Sequence, residues 1–131
     1  MSEFIPFKSL QRPPKPNTCL AAPDNFCLAS EADFAPPEFD LSAADLFTKI
    51  NEIISAERSF GRLTSDADAL RLKFVATTGL MRFKDDVDIE VIPLDDGKST
   101  LAIYSRSRVG YSDLGANRKR VTKLIAKLTT N

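Results

Sequence analysis

Seven of the chain's eight prolines fall within its first 37 residues: Pro6, Pro13, Pro14, Pro16, Pro23, Pro36 and Pro37. Proline locks φ and removes an amide donor, so regular helix or a central strand is disfavoured through most of this stretch. Yet five of the nine phenylalanines fall within the first 40 residues, namely Phe4, Phe7, Phe26, Phe34 and Phe39. A disordered tail is poor in aromatics. The combination predicts an extended arm over residues 1–40, polyproline-like from Arg12 to Asn17, that lays aromatic side chains onto a domain spanning 41–131.

Beyond the arm the hydrophobic period changes from helical to strand-like and back. Leu46, Ile50, Ile53 and Ile54 recur at helical spacing, and Ser42 followed by Asp45 reads as a capping-box-like start, predicting a helix over 42–56. A short strand is expected over 60–64. Leu70, Leu72, Phe74 and Ala76 then alternate with polar neighbours, as do Val87, Ile89 and Val91, the signature of half-buried strands. Gly79 marks a bend before a segment 80–83. Asp95-Asp96-Gly97 is a hairpin turn leading into a strand over 100–108. Short links force these four consecutive strands to pair antiparallel. A last helix over 112–128 has Leu114, Val121, Leu124, Ile125 and Leu128 on its apolar face, with Asn117 and Arg118 on or beside that stripe. The expected fold is α+β: a two-layer sandwich of a four-stranded antiparallel sheet with two helices packed on one face, plus the Pro-rich arm.

Composition narrows the chemistry. At 131 residues the chain holds one domain with a real core. It has no histidine, which removes Ser-His and Cys-His nucleophile pairs and imidazole metal ligands. Cys19 and Cys27 are too few for a structural zinc site; their spacing permits a disulfide without demanding one. Asp85, Asp86, Asp88 and Glu90 form an acidic run, but Asp88 and Glu90 alternate as a solvent face would, which argues against a metal site. No cofactor is expected. No apolar run approaches a membrane span and no signal peptide is evident, so as written the chain reads as cytoplasmic; a trimmed fragment would belong to the periplasm or envelope.

Lys and Arg balance Asp and Glu at 18 each, but unevenly. From Lys98 onward eight basic residues face one acid, Asp113. The segment 104–120 concentrates them. A strand delivers Arg106 and Arg108 to its end, Gly110 permits a sharp turn, and Ser112 is placed to cap the helix. Tyr111, Ser112, Asp113, Asn117 and Arg118 complete a candidate ligand-binding set, since free N–H groups at a helix start together with guanidiniums suit an anion. Each member also has a structural alternative: Ser112 and Asp113 as caps, Asn117 as partner of buried backbone groups, and Lys119, Arg120 and Lys123 as a solvated helix face.

The run Ser105-Arg-Ser-Arg-Val-Gly-Tyr-Ser-Asp-Leu-Gly-Ala-Asn-Arg-Lys-Arg120 resembles the hallmark of the domain of unknown function 1499 family. Arg12-Pro-Pro-Lys-Pro-Asn17 and Leu80-Met-Arg-Phe-Lys-Asp85 resemble its other two signatures. The resemblance spans nearly the whole chain. It implies a small bacterial or plastid domain, often behind a signal peptide or membrane segment, without established activity, substrate or cofactor. The resulting expectation is a non-enzymatic, monomeric binding or accessory domain of the cell envelope that contacts an anionic small molecule or a protein partner at the 106–120 junction. The rival is a histidine-free hydrolase or isomerase using Asp113 with Tyr111 or Ser112. Nucleic-acid binding through Lys119, Arg120, Lys123 and Lys127 is disfavoured by the neutral total and the absence of aromatics near that stripe.

Overall fold

The computed structural model describes residues 4–79, 82–110 and 112–129. Segment 80–81, within one of the family signatures, and Tyr111 of the candidate site lie outside them. In chain order the elements are β1 (Thr18–Ala21), α1 (Ala43–Ala56), β2 (Phe60–Asp66), β3 (Arg71–Thr78), β4 (Phe83–Pro93), β5 (Ser99–Ser107) and α2 (Ala116–Thr129), with 3-10 turns at Phe7–Ser9 and Asp95–Gly97. The five described strands form one antiparallel sheet in the order β1-β5-β4-β3-β2.

Four of these strands are the expected meander. The fifth corrects the count. β1 occupies the four positions after Asn17 and pairs with β5 from Thr18↔Arg106 to Ala21↔Ile103. It fits between Pro16 and Pro23 because residues 18–22 carry no proline, and it lies at an edge, where neighbouring prolines cost no ladder bonds.

Alternation along the strands divides the sheet into two faces. Leu72, Phe74 and Ala76 of β3, Val87, Ile89 and Val91 of β4, and Leu101 and Ile103 of β5 form one buried cluster with Leu46, Ile50 and Ile54 of α1 and Val121, Leu124 and Ile125 of α2. Both helices therefore cover this face. The opposite face is not left to solvent, as a two-layer sandwich would leave it. Leu20, Ala102 and Tyr104 are buried there against Phe7, with Ile5, Leu10 and Phe26 packed around them. The Phe7 and Phe26 rings meet at 6.2 Å, and the Arg71 guanidinium lies 5.4 Å from the Phe4 ring and 5.5 Å from that of Phe7. Arg71 also donates to the Ile5 carbonyl.

Local signals explain the boundaries. Ser42 Oγ accepts from the Asp45 N–H at 3.1 Å and starts α1. At the β4–β5 turn Asp96 and Gly97 take φ of 60° and 72°, the left-handed conformation that glycine adopts without strain. Helix α2 begins four residues later than expected. Leu114 consequently lies outside it, at φ 54° and 90% exposed, instead of on its apolar face.

Phe7 is 1% exposed and anchors the second cluster. Phe7→Ala is expected to cost about 3–5 kcal/mol in urea unfolding. A cost below 1 kcal/mol would mean that this face is stable without the N-terminal segment.

Candidate functional site

The β5–α2 junction is organised by Asn117, which is fully buried. Its Oδ1 accepts from Ser105 Oγ at 2.6 Å and from Arg120 Nη1 at 3.0 Å. Its Nδ2 donates to the Asn17 carbonyl at 2.9 Å, Ser107 Oγ at 2.9 Å and Asp113 Oδ2 at 2.7 Å. One side chain thus ties α2 to β5 and to the residue preceding β1. Asn17 closes the loop by donating from Nδ2 to the Gly110 carbonyl at 2.8 Å.

Arg120 extends the network. Its side chain is 9% exposed and pairs with Asp85, 3% exposed, at 2.9 Å, while Nη1 also donates to Ser105 Oγ. A guanidinium can be buried here because a carboxylate and several oxygens meet its donors. The solvated-face reading of Arg120 is therefore corrected. Two sequence signals pointed to the pair. Asp85 is in phase with Val87, Ile89 and Val91 on the core face of β4, and Arg120 follows Asn117 by three along the stripe that continues to Val121 and Leu124.

Asp113, rather than Ser112, supplies the main helix-start contacts. Its Oδ1 accepts from the Gly115 N–H at 2.8 Å and its Oδ2 from the Asn117 N–H at 3.0 Å. Ser112 Oγ accepts only from the Leu114 N–H, at 3.3 Å. Gly115, at φ 83°, makes the turn into the helix. Partial burial raises the Asp113 carboxyl, but the Asn117 side chain and the two amides together outweigh it and hold the group below its usual value.

The arginines of the sequence-derived set do not converge on this junction. Arg106 lies on the opposite sheet face, paired with Asp88 at 2.9 Å and 5.0 Å from the Tyr104 ring centroid. Asp88 is 1% exposed and also accepts the Ile5 N–H, so it is no part of a solvent face. Arg108 grips Asp86 through two bonds of 2.9 Å, which lower the Asp86 pKa against its partial burial. Arg118 lies 5.1 Å from the Phe34 ring centroid. The acidic run is thereby split, Asp85 on the helix face and Asp86 and Asp88 on the other. Among the described residues no three acidic or thiol side chains are grouped as metal ligands.

Cys19 and Cys27 are free thiols. Cys19 belongs to the helix-side cluster and Cys27 packs on the opposite one, so the strand itself separates them. Burial, with Asp33 nearby, pushes the Cys19 thiol up to about 11, which makes it inert at neutral pH.

Beside the network a cleft of about 550 Å³ opens between α1 and α2 over the ends of β2 and β3. Ile53, Phe60 and Leu124 give it apolar surface, and Lys119, Lys123 and Lys127 recur every four residues along its α2 wall. Asp113 and Leu114 stand at the junction end and Glu57 on the α1 side. Phe60 is held by Phe74, with ring centroids 4.6 Å apart. The sequence-derived set contained Asp113 from this cleft but none of its lysines. Their spacing of four was visible, but only the packing of α1 beside them makes the surface concave.

A family model described as a protein of unknown function, DUF1499, matches residues 12–128. The chain belongs to that family. Its model therefore spans β1 through α2 and takes in both halves of the clasp, Asn17 and Asn117. No curated protein matches the chain. No described helix is long and apolar enough to cross a membrane.

Two outcomes follow for this DUF1499 domain. Arg120→Met leaves Asp85 buried without its cation and is expected to cost about 3–5 kcal/mol in urea unfolding, with Asp85→Asn in the same chain restoring part of it. Full additivity of the two changes would show that the residues are not coupled. Second, Asp33, Asp86 and Asp113 all have lowered pKa values. Their stabilisation is complete above the unfolded carboxyl value of about 3.9 and is lost as pH falls through the folded values. The urea midpoint should therefore hold near neutrality and drop below about pH 4, less steeply in Asp113→Asn. An equal acid slope in that variant would remove Asp113 from the account.

Proposed function

We propose that the domain is a non-enzymatic binding module that receives an anionic group of a small molecule or partner at the 106–120 junction, in the cleft between α1 and α2. The observation carrying this reading is a concave, partly apolar surface with a row of lysines on one wall, within the usual volume range of small-molecule sites, roughly 300–1,000 Å³. Among the described residues neither Lys119 nor Lys123 takes part in a salt bridge. They can meet a ligand's charge without first breaking a salt bridge. Arg106 and Arg108 have carboxylates of their own and serve the sheet. Asp113 and Asn117 act by holding the junction in shape.

A hydrolase or isomerase using Asp113 calls for a carboxyl poised to take or give a proton near neutral pH. Asp113 is held in the opposite sense, with a lowered pKa and both oxygens accepting bonds. This favours binding over catalysis.

Differential scanning fluorimetry with acetate, benzoate, octanoate, citrate and phosphate tests the proposal. At least one anion should raise the melting temperature of the wild-type chain by mass action. The rise should vanish in Lys119→Glu/Lys123→Glu, whose circular dichroism spectrum should match the wild type. No rise with any anion, or an equal rise in the variant, would sink it.

A further inference from the structure

We infer that the cleft's ligand is an amphipathic monoanion, a carboxylate carrying an aliphatic tail. This inference rests on the binding reading above and adds the chemical class. Charge decides the head group. Lys119, Arg120, Lys123 and Lys127 line the cleft together with two carboxylates, Glu57 and Asp113. Arg120 is already matched by Asp85 at 2.9 Å, whereas among the described residues Lys119 and Lys123 form no salt bridge. A head group of one negative charge suits that pair. A polyanion would remain undercompensated and would meet Glu57 and Asp113 as well.

Position follows from where those carboxylates sit. Glu57 accepts from the Ser59 N–H at 3.1 Å and from Ser59 Oγ at 2.8 Å, and these bonds lower its pKa. It stays ionised on the α1 side, with the Lys123 and Lys127 charges acting on it. Asp113 is turned into its own helix start, its oxygens occupied by amide donors. The cations remaining for a ligand are those on the α2 wall, chiefly Lys119 and Lys123.

The rest of the surface asks for hydrocarbon. Ile53, Phe60 and Leu124 present apolar atoms between the two helices, and the Phe74 ring backs Phe60. Leu114 borders the same space, 90% exposed, at φ 54°. A leucine displayed in the left-handed region is disfavoured twice, by its backbone and by the water around it. A tail lying along the cleft covers that side chain and displaces water from the floor, while the lysines stay at the rim with their stems over apolar surface.

Isothermal titration of the full chain with acetate, octanoate and laurate, kept below micelle formation, provides the test. Affinity should rise roughly two- to fourfold per added methylene until the cleft is filled. Lys119→Glu/Lys123→Glu should lose laurate binding, and Leu114→Ser should weaken it severalfold. Dodecyl maltoside, with a similar tail and no charge, should bind at least tenfold more weakly than laurate. If benzoate, citrate or phosphate binds in a lysine-dependent way but laurate is no tighter than acetate, the amphiphile class is overturned and the binding site stands. Equal binding of dodecyl maltoside overturns the charged head. Unchanged laurate affinity in Leu114→Ser overturns the placement of the tail. If no anion or amphiphile binds, both readings fall.

Discussion

The Asn117–Arg120–Asp85 network is the interaction on which the arrangement of this domain depends. Helix α2 has its apolar stripe to hold it on the sheet, but burial of Val121, Leu124 and Ile125 is non-directional and tolerates sliding and rotation. Hydrogen bonds do not. Asn117 satisfies β5 hydroxyls, the Asn17 carbonyl and the carboxylate at its own helix start together, and Arg120 carries the same network to β4. Breaking any one partner leaves a buried polar group uncompensated, which costs more than the bond itself contributes. The network therefore sets the position of α2, and with it one wall of the cleft.

The two sheet faces are stabilised by different means. The helix side is a conventional apolar core, and at one end of it Asp85, Ser105 and Ser107 continue the inward-facing positions of β4 and β5. The other side mixes a small apolar cluster with ion pairs: Arg106 with Asp88, Arg108 with Asp86, and Arg12 with Asp33 at 2.9 Å. Arg12 also donates to the Glu31 carbonyl and Thr18 Oγ1, while Asp33 accepts the Leu20 N–H at 2.8 Å. A chain this rich in proline has few backbone donors with which to dock, and side-chain pairs take over that task. The uneven charge distribution of the sequence is partly internal for this reason: Arg106, Arg108 and Arg120 of the basic 98–127 stretch meet the acids of β4 within the fold.

Legibility tracked the range of the physics involved. The cap at Ser42, the Asp95-Asp96-Gly97 turn and the alternation of Val87, Ile89 and Val91 depend on neighbours a few residues away, so the sequence displayed them directly. β1 was missed because a four-residue edge strand between two prolines has little periodicity of its own and exists only because β5 offers an unpaired edge. Asn117 was noticed as an amide on an apolar stripe, yet its partners are up to 100 residues away. The arginines misled in the opposite direction: Arg106 and Arg108 are close to Ser112 in sequence, but strand alternation directs them to the other face.

The amino-acid sequence by itself thus determined an α+β chain of meander and two helices, the absence of histidine chemistry, and membership of a family recognisable from the 105–120 run. These properties follow from composition and from local period, which act without knowledge of the rest of the chain. Tertiary structure alone decided that a fifth strand joins the sheet, that the second face is covered, and which cations are spent in pairs. It also decided that Lys119, Lys123 and Lys127 face a concavity. Concavity and charge compensation belong to no single segment; they arise only when α1, α2 and the ends of β2 and β3 are brought together.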